Sequence, residues 1–359
     1  MLRLRRGRVV TPRPLTVEVD GERRPAWADP RLVGEVRGGD EVIVNVAALD
    51  LGLGSGGFDL IHANLTRGLE ASPAGESHVM KLNYTSLQHP VEPVETPLGE
   101  GSSRVGGVES RRAIPVLVIP LHGHLAPAVW AACERRAGSR IGYVQSAGGA
   151  LPGSLSRDVA ELRRRGLVCG HVTAAPAFGG EEEALSVAGA LDAAASRLGW
   201  EAAVVGPGPG ILGSRTRLGH GGIVALDSAH AALALGMPAL VAPRLSSADP
   251  RPEHRGLSHH TATVLELLLA PVRVPVPEVE IEGWPLADSE APEGGGRQAT
   301  LDALIAACAD RHDLAVEGID LAGYAASELP TRTMGRELAE DPLFFAAALA
   351  GGGALGSIL

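Results

Sequence analysis

Residues 113–138, AIPVLVIPLHGHLAPAVWAACERRAG, set a short apolar run directly before a segment of helical spacing. Such a pair reads as a buried strand feeding a helix. The pattern then repeats: RIGYVQ (140–145) precedes a helix near SLSRDVAELRRRG (154–166), and LVCGHVTAAP (167–176) precedes EEEALSVAGALDAAASRLG (181–199). WEAAVVGPGPG (200–210) leads to a helix near LDSAHAALALG (226–236), and PALVAPRLS (238–246) leads to SHHTATVLELLLA (258–270). VRVPVP (272–277) supplies a sixth strand. Strands alternating with helices predict an α/β fold, here a mostly parallel, Rossmann-like sheet with helices on both faces. Aromatic residues are only 3% of the chain, so the core is built from Ala, Val, Leu and Ile, as in helix-covered parallel sheets.

Upstream the period changes. RGRVV (6–10), LTVEV (15–19), GEVRGGDEVIVNVAALDLGLG (34–54) and FDLIHANL (58–65) are short β-like pieces, and Gly38-Gly39-Asp40 is hairpin chemistry. They predict a small β barrel or sandwich that continues through residues 78–87. HPVEPVETPLGEGSS (89–103) and EVEIEGWPLADSEAPEGGGRQ (278–298) read as linkers, and TRTMGRELAEDPLFFAAALAGGG (331–353) as a helical tail. The expected organisation is a small β domain over 1–95, a Rossmann-like α/β domain over 113–278 and a helical C-terminal segment over 301–359.

At 359 residues and a formal net charge of −10, the chain lacks the concentrated basic face of a nucleic-acid backbone binder. Cys133, Cys169 and Cys308 are odd in number and form no C-x-x-C pair, so neither a disulfide framework nor a thiolate zinc site is indicated. A Cys169–His171 nucleophilic pair is conceivable, and Glu181–Glu183 suit the first turn of a helix. The N-terminal stretch MLRLRRGRVVTPRPL has no apolar secretory core, and the most apolar stretch, 344–359, is too short to span a bilayer. The expectation is a soluble cytoplasmic protein without membrane or nucleic-acid partners, with a homo-oligomer as a candidate assembly.

Ligands of open parallel sheets bind outside the carboxyl ends of the strands, and the unusual residues fall there. His122 and His124 follow the first strand, Ser146-Ala147-Gly148-Gly149 the second and Phe178–Glu181 the third. GPGPGILGSRTRLGHGG (206–222) follows the fourth, and Arg244, Ser246, Asp249, Arg251, His254, Ser258, His259 and His260 follow the fifth. The glycine-rich stretch has neither the Walker nor the dinucleotide spacing. Its backbone, through Gly206, Gly208, Gly210, Gly213 and Thr216, suits a small anion, with Arg215, Arg217, Arg244 and Arg251 supplying charge and Ser246 and Ser258 further donors. Tight packing alone is the competing reading of the same glycines.

His254, His259, His260 and Asp249 are the catalytic candidates. A divalent metal is a candidate cofactor, with His122, His124, Asp249 and His254 as its ligands. Direct hydrogen bonding, acid/base work and capping at the Ser258 helix start are open alternatives for the histidines. On a helix, His259 and His260 diverge by about 100°, so sharing one metal requires irregular backbone. Lys81 joins the catalytic candidates because it is the one lysine among 32 basic Lys and Arg side chains; an ammonium differs from a guanidinium in shape and in its response to burial.

The runs VNVAALDLGLGSGG, HVMKLNYTSLQ, AFGGEEEAL, GPGPGILGSRT, RLSSADPRPEHRGLSHHT and TMGRELAEDPLFF together resemble an uncharacterised bacterial family, that of domain of unknown function 3866. The similarity covers nearly the whole chain. It implies no activity, but Lys81, Arg244, Ser246, Asp249, Arg251, His254, Ser258, His259, His260 and Arg336 match its motif positions. The chain departs from that pattern at Ser146-Ala147, where Thr-Asp is expected, and at GSRT (213–216), where a GTGT-like run is expected. The sequence thus points to an enzyme acting on a small anionic or phosphorylated metabolite by hydrolysis or group transfer. A non-catalytic ligand-sensing or oligomeric scaffold protein is the alternative.

Overall fold

The computed structural model describes residues 2–53, 56–69, 77, 79–95, 113–214, 216–278 and 296–359. They form two compact units, Met1–Glu92 and Pro93–Leu359. In the first, strands β1 (Leu4–Pro12), β2 (Leu15–Val19), β3 (Glu22–Trp27), β4 (Glu41–Asn45) and β5 (Asp59–Asn64) close a barrel in the order β1-β2-β3-β5-β4. Of the two expected forms, the barrel is the one found. Alternation along the strands sends Val9, Val17, Val19, Val42, Val44 and Ile61 into its core. One-turn helices α1 (Pro30–Val33) and α2 (Ala47–Asp50) span gaps between strands. The expected continuation is a separate hairpin, β6 (Val79–Lys81) with β7 (His89–Val91); His78 lies outside the described residues.

Asp40 is fixed within this unit. It accepts hydrogen bonds from Arg67 Nε at 2.9 Å, the Arg37 amide at 2.9 Å and Asn64 Nδ2 at 3.0 Å. These partners, Arg67 foremost, hold its carboxyl down at about 2.

The second unit carries an eight-stranded parallel sheet. Its strands are β8 (Val116–Val118), β9 (Ile141–Ser146), β10 (His171–Ala174), β11 (Glu182–Ala184), β12 (Ala202–Pro207), β13 (Ala239–Val241), β16 (Arg273–Pro277) and β17 (Asp313–Glu317). A small antiparallel pair, β14 (Leu245–Ser246) with β15 (Gly256–Leu257), interrupts the sequence order between β13 and β16. The sheet order is β11-β10-β9-β12-β8-β13-β16-β17. Alternate residues face opposite sides. Val116, Val118, Val144, Val205 and Val274 pack beneath α5 (Val187–Ser196), α6 (Val224–Ala234), α7 (His259–Leu267) and α8 (Arg297–Cys308). Leu117, Ile119, Tyr143, Val204 and Leu240 pack beneath α3 (Leu125–Arg135), α4 (Arg157–Arg164) and α10 (Pro342–Ser357). A short helix, α9 (Leu321–Ala326), precedes a two-strand turn, β18 (Arg332–Thr333) and β19 (Arg336–Glu337).

Three expectations change. Glu181–Glu183 do not open a helix: Glu182–Ala184 pair with β10 as an edge strand, and Ser186 caps α5 two residues later. The stretch 89–95 is structured rather than linker, with β7 at its start and Val94 donating its amide to Glu183 O at 2.7 Å. The 301–359 segment is not only helical, since it contributes β17 to the sheet.

Helix α10 is apolar on every side and buried from Leu343 to Gly356, as an all-round hydrophobic helix must be. No helix among the described residues is long and apolar enough to cross a membrane. The glycines of α10 let it lie directly on α3: a Cβ at Gly352 would stand 1.9 Å from the Ala128 carbonyl oxygen.

Two predictions follow from these contacts. Gly352→Ala should destabilise the protein by about 1–3 kcal/mol through overpacking, although alanine is the better helix former by about 1 kcal/mol. A denaturant midpoint equal to or above that of the wild type would show that α3 and α10 separate at no cost. For Asp40, the folded pKa is depressed, so its contribution of roughly 2 kcal/mol is present above the unfolded value near 4 and disappears as pH falls towards about 2. The stability advantage of wild type over Asp40→Asn should therefore be constant at neutral pH and shrink across that acid window; a pH-independent difference would contradict the assignment.

Candidate functional site

Strand β8 sits at the middle of the sheet with β12 on one side and β13 on the other. The chain runs outward from β8 through β9, β10 and β11, and returns to both of its flanks. The loops leaving β12 and β13 therefore face each other at one carboxyl edge, the usual place for ligands in such sheets.

The loop after β12 is a self-bonded turn. Ser214 N donates to Gly219 O at 2.7 Å and Gly221 N to Leu212 O at 2.7 Å, while Ala150 N donates to Pro209 O at 2.7 Å. Its glycines permit backbone contact: a Cβ at Gly206 would meet Ile119 at 2.3 Å, and one at Gly208 would meet Ala150 O at 2.2 Å. Packing accounts for Gly206 and Gly208, and Gly210 occupies a left-handed turn position at φ +73. Gly213 bridges His220 across the turn. What the loop brings towards the site is Thr216, Arg217 and His220, rather than a cradle of amides. Arg215 lies outside the described residues.

The loop after β13 carries the charged core of the site. Arg244 and Asp249, both buried, pair at 3.0 Å. Asp249 also receives Arg251 through both oxygens at 2.9 Å each and Arg336 at 3.4 Å. Arg336 continues to Asp341 at 3.0 Å, and Asp341 accepts from Ser246 Oγ at 2.6 Å and Ser247 N at 2.9 Å. Burial would raise the Asp249 carboxyl, but hydrogen bonds from Arg251 and the charge of Arg244 overcome it and hold it well below the carboxylate range. Burial lowers Arg244 to about 10 against the pull of Asp249. Asp249 is thus committed to guanidinium groups, which disfavours the expected metal-ligand or catalytic role.

Beyond β15, Ser258 caps α7 by accepting from His260 N at 3.3 Å, and its hydroxyl bonds His254 Nδ1 at 2.7 Å. His259 and His260 occupy the first turn and meet His220 from the opposite loop. The His220 and His260 rings stack at 3.7 Å with planes 4° apart. His259 is 4.4 Å from His260 by ring centroid, and His254 is 5.0 Å from His259 and 4.7 Å from His260. Burial pushes His254 down to about 3 and His260 to about 2, with Arg244 and the neighbouring histidines adding to it; burial also lowers His220 and His259. Burial thus disfavours the protonated form at all four. One nitrogen from each of His220, His259 and His260 lies within 4.8 Å of the others, the one such histidine, cysteine or carboxylate group among the described residues. His259 opens onto a cavity of about 550 Å³ also lined by Thr216, Arg217, Glu253, Ala262, Thr263 and Glu266.

His122 and His124 do not join this group. His122 Nε2 bonds Ser156 Oγ at 2.7 Å and its Nδ1 faces Pro207 O at 3.2 Å. His124 packs edge-on against Phe344 at 4.5 Å with both nitrogens buried and unpartnered. The expected set of His122, His124, Asp249 and His254 is therefore not a ligand cluster. Burial raises the Cys169 thiol, and His171 bonds Gln145 at 3.2 Å, so that pair offers no activated nucleophile. Ser146 is buried and donates to Ala147 O at 3.2 Å, and residues 146–149 carry no carboxylate. Lys81, in the first unit, is buried at the end of β6 and is not free.

His220 and Asp341 are the site residues that sequence reasoning passed over. Each is remote in sequence from the β13 loop that it meets, and the only hint of His220 is its place in the Gly-His-Gly-Gly end of the loop after β12.

Asp249→Asn should cost about 3–5 kcal/mol, because it strands the buried Arg244 guanidinium. Arg251→Ala should cost about 1 kcal/mol or less, since Arg251 is half-exposed. Equilibrium denaturation of the two variants compares them directly, and equal losses would deny the Arg244–Asp249 pair its anchoring role.

A family profile described as "Protein of unknown function (DUF3866)" matches residues 25–352. Neither the curated proteins nor the solved structures give a match. The matched span takes in the end of β3 and the last two barrel strands, the whole eight-stranded sheet, the β13 loop and the histidine cluster, and on it the chain belongs to the DUF3866 family.

Proposed function

We propose that this protein is a bacterial cytoplasmic enzyme that acts on a small anionic, phosphorylated metabolite by hydrolysis or group transfer. The observation that carries the reading is the convergence of four neutral imidazoles, His220, His254, His259 and His260, at the carboxyl ends of β12 and β13 beside a cavity of about 550 Å³. Neutral imidazoles offer lone pairs to a water or substrate hydroxyl, or to a metal. The cavity volume suits a small metabolite. Arg217 at its rim, paired with Glu266, supplies the cation for an anionic substrate, and Thr216 a hydroxyl. Free cysteines suit a reducing compartment.

The test is phosphate release from a panel of phosphorylated metabolites by the purified full-length chain, with and without added divalent metal. At least one compound should turn over, and His259→Ala should lower kcat by about 100-fold or more. Arg217→Ala should act mainly on KM. An absence of turnover across the panel overturns the enzyme reading, and saturable binding without turnover would replace it with the ligand-sensing one.

A further inference from the structure

We infer that His220, His259 and His260 form a binding site for one transition-metal dication of the zinc, cobalt, nickel or iron(II) class. The site shares the cluster of the proposed reaction; it rests on that reading for its use, but not for its ability to bind.

Each donor is prepared for the role in a different way. His220 Nε2 lies 3.0 Å from the Arg217 carbonyl oxygen, which can only accept, so that nitrogen carries the proton and Nδ1 keeps the lone pair. Metal-bound histidines are commonly oriented by this kind of bond from the second ring nitrogen to a carbonyl. His220 Nδ1 is buried and has no hydrogen-bond partner among the described residues. A buried acceptor without a donor is costly, and a cation at this point satisfies it. His260, also buried, has its backbone fixed by the Ser258 cap, and its ring lies against His220. His259 is more open and faces the cavity, leaving room for a water or substrate atom in a remaining coordination position.

The donor set decides the class of ion. Three imidazole nitrogens suit borderline cations. They do not suit calcium or magnesium, which require oxygen ligands. Arg244 Nη1 donates to His260 Nδ1 at 3.4 Å, so ligation through that nitrogen displaces the guanidinium, whose charge Asp249 balances at 3.0 Å, and Glu253 stands on the cavity side of His259. The parallel His220 and His260 rings direct their edges side by side, so sharing an ion requires them to turn apart.

The experiment is titration of the chelator-stripped, full-length protein with Zn²⁺ by calorimetry and with Co²⁺ by visible spectroscopy. One equivalent of each should bind, with Co²⁺ giving the ligand-field bands of nitrogen coordination. His259→Ala and His220→Ala should each weaken binding by more than about 100-fold, beyond what loss of an outer-shell partner causes. His62→Ala, which removes a histidine from the barrel unit, should bind as the wild type does. Circular dichroism and metal-free melting curves establish that the variants are folded; if His220→Ala is not, the more open His259 carries the test. Absence of saturable binding, or wild-type affinity in the folded variants, overturns the metal site. Stoichiometric binding without turnover supports the site and sinks the proposed reaction alone, whereas turnover by protein that binds no metal sinks the site alone.

Discussion

The buried ion pair between Arg244 and Asp249 is the interaction on which the site depends. A guanidinium at the end of a central parallel strand is expensive to desolvate unless its charge and hydrogen bonds are answered locally. Asp249 answers it, and in doing so draws the loop after β13 back against the strand end. The same carboxylate gathers Arg251 and Arg336, and Arg336 passes the connection to Asp341 at the head of α10. The β13 loop is thereby tied to the most buried helix of the second unit. Ser246 and Ser247 close the circuit by donating to Asp341. With the loop fixed at both ends, His254 is delivered to Ser258, and α7 starts at the position that presents His259 and His260 to the opposite loop.

This charge network also explains why the histidines are neutral. Imidazolium ions would have to form in a desolvated cluster, beside one another and beside Arg244, and every one of these conditions opposes protonation. Asp249 is engaged by arginines, and Glu253 raises His259 without offsetting its burial. The cluster therefore keeps lone pairs and gives up acid function, which narrows its chemistry to base or ligand work. Imidazoles held as low as about 2 and about 3, the values for His260 and His254, are weak bases. Metal ligation draws on the same lone pairs, against the same burial and the same neighbouring Arg244 charge.

The fold was legible because its signals are periodic and local. Apolar runs such as 114–119 and 202–205 precede helices at regular intervals, and parallel topology follows from that order. The edge strands were hidden. EEA at 182–184 has the composition of a helix start, and it is a strand because β10 offers an unpaired edge beside it; DLAVE at 313–317 is in the same position beside β16. Among the site candidates, Arg244, His254, His259 and His260 were visible because one seventeen-residue stretch holds them all within a single loop and helix start. The glycines of 206–222 could be read either as an anion cradle or as packing, and contacts with Ile119 and Ala150 favour packing for the first two.

His220 shows where sequence reasoning stops. Its ring meets His260, forty positions further along the chain, by stacking, an interaction that leaves no periodicity and no spacing to read. Only the topology, which places the ends of β12 and β13 on either side of β8, brings the two loops together. The adjacent pair His259–His260 diverges on its helix, and by itself makes a poor chelate. A third imidazole arriving from the facing loop changes the geometry, since one of its ring nitrogens lies within 4.8 Å of one nitrogen on each of the other two. The chemistry of the site is thus a property of the crossover rather than of any motif, and the glycines that let the β12 loop fold back on the β9 loop act on function through the position they give to one histidine.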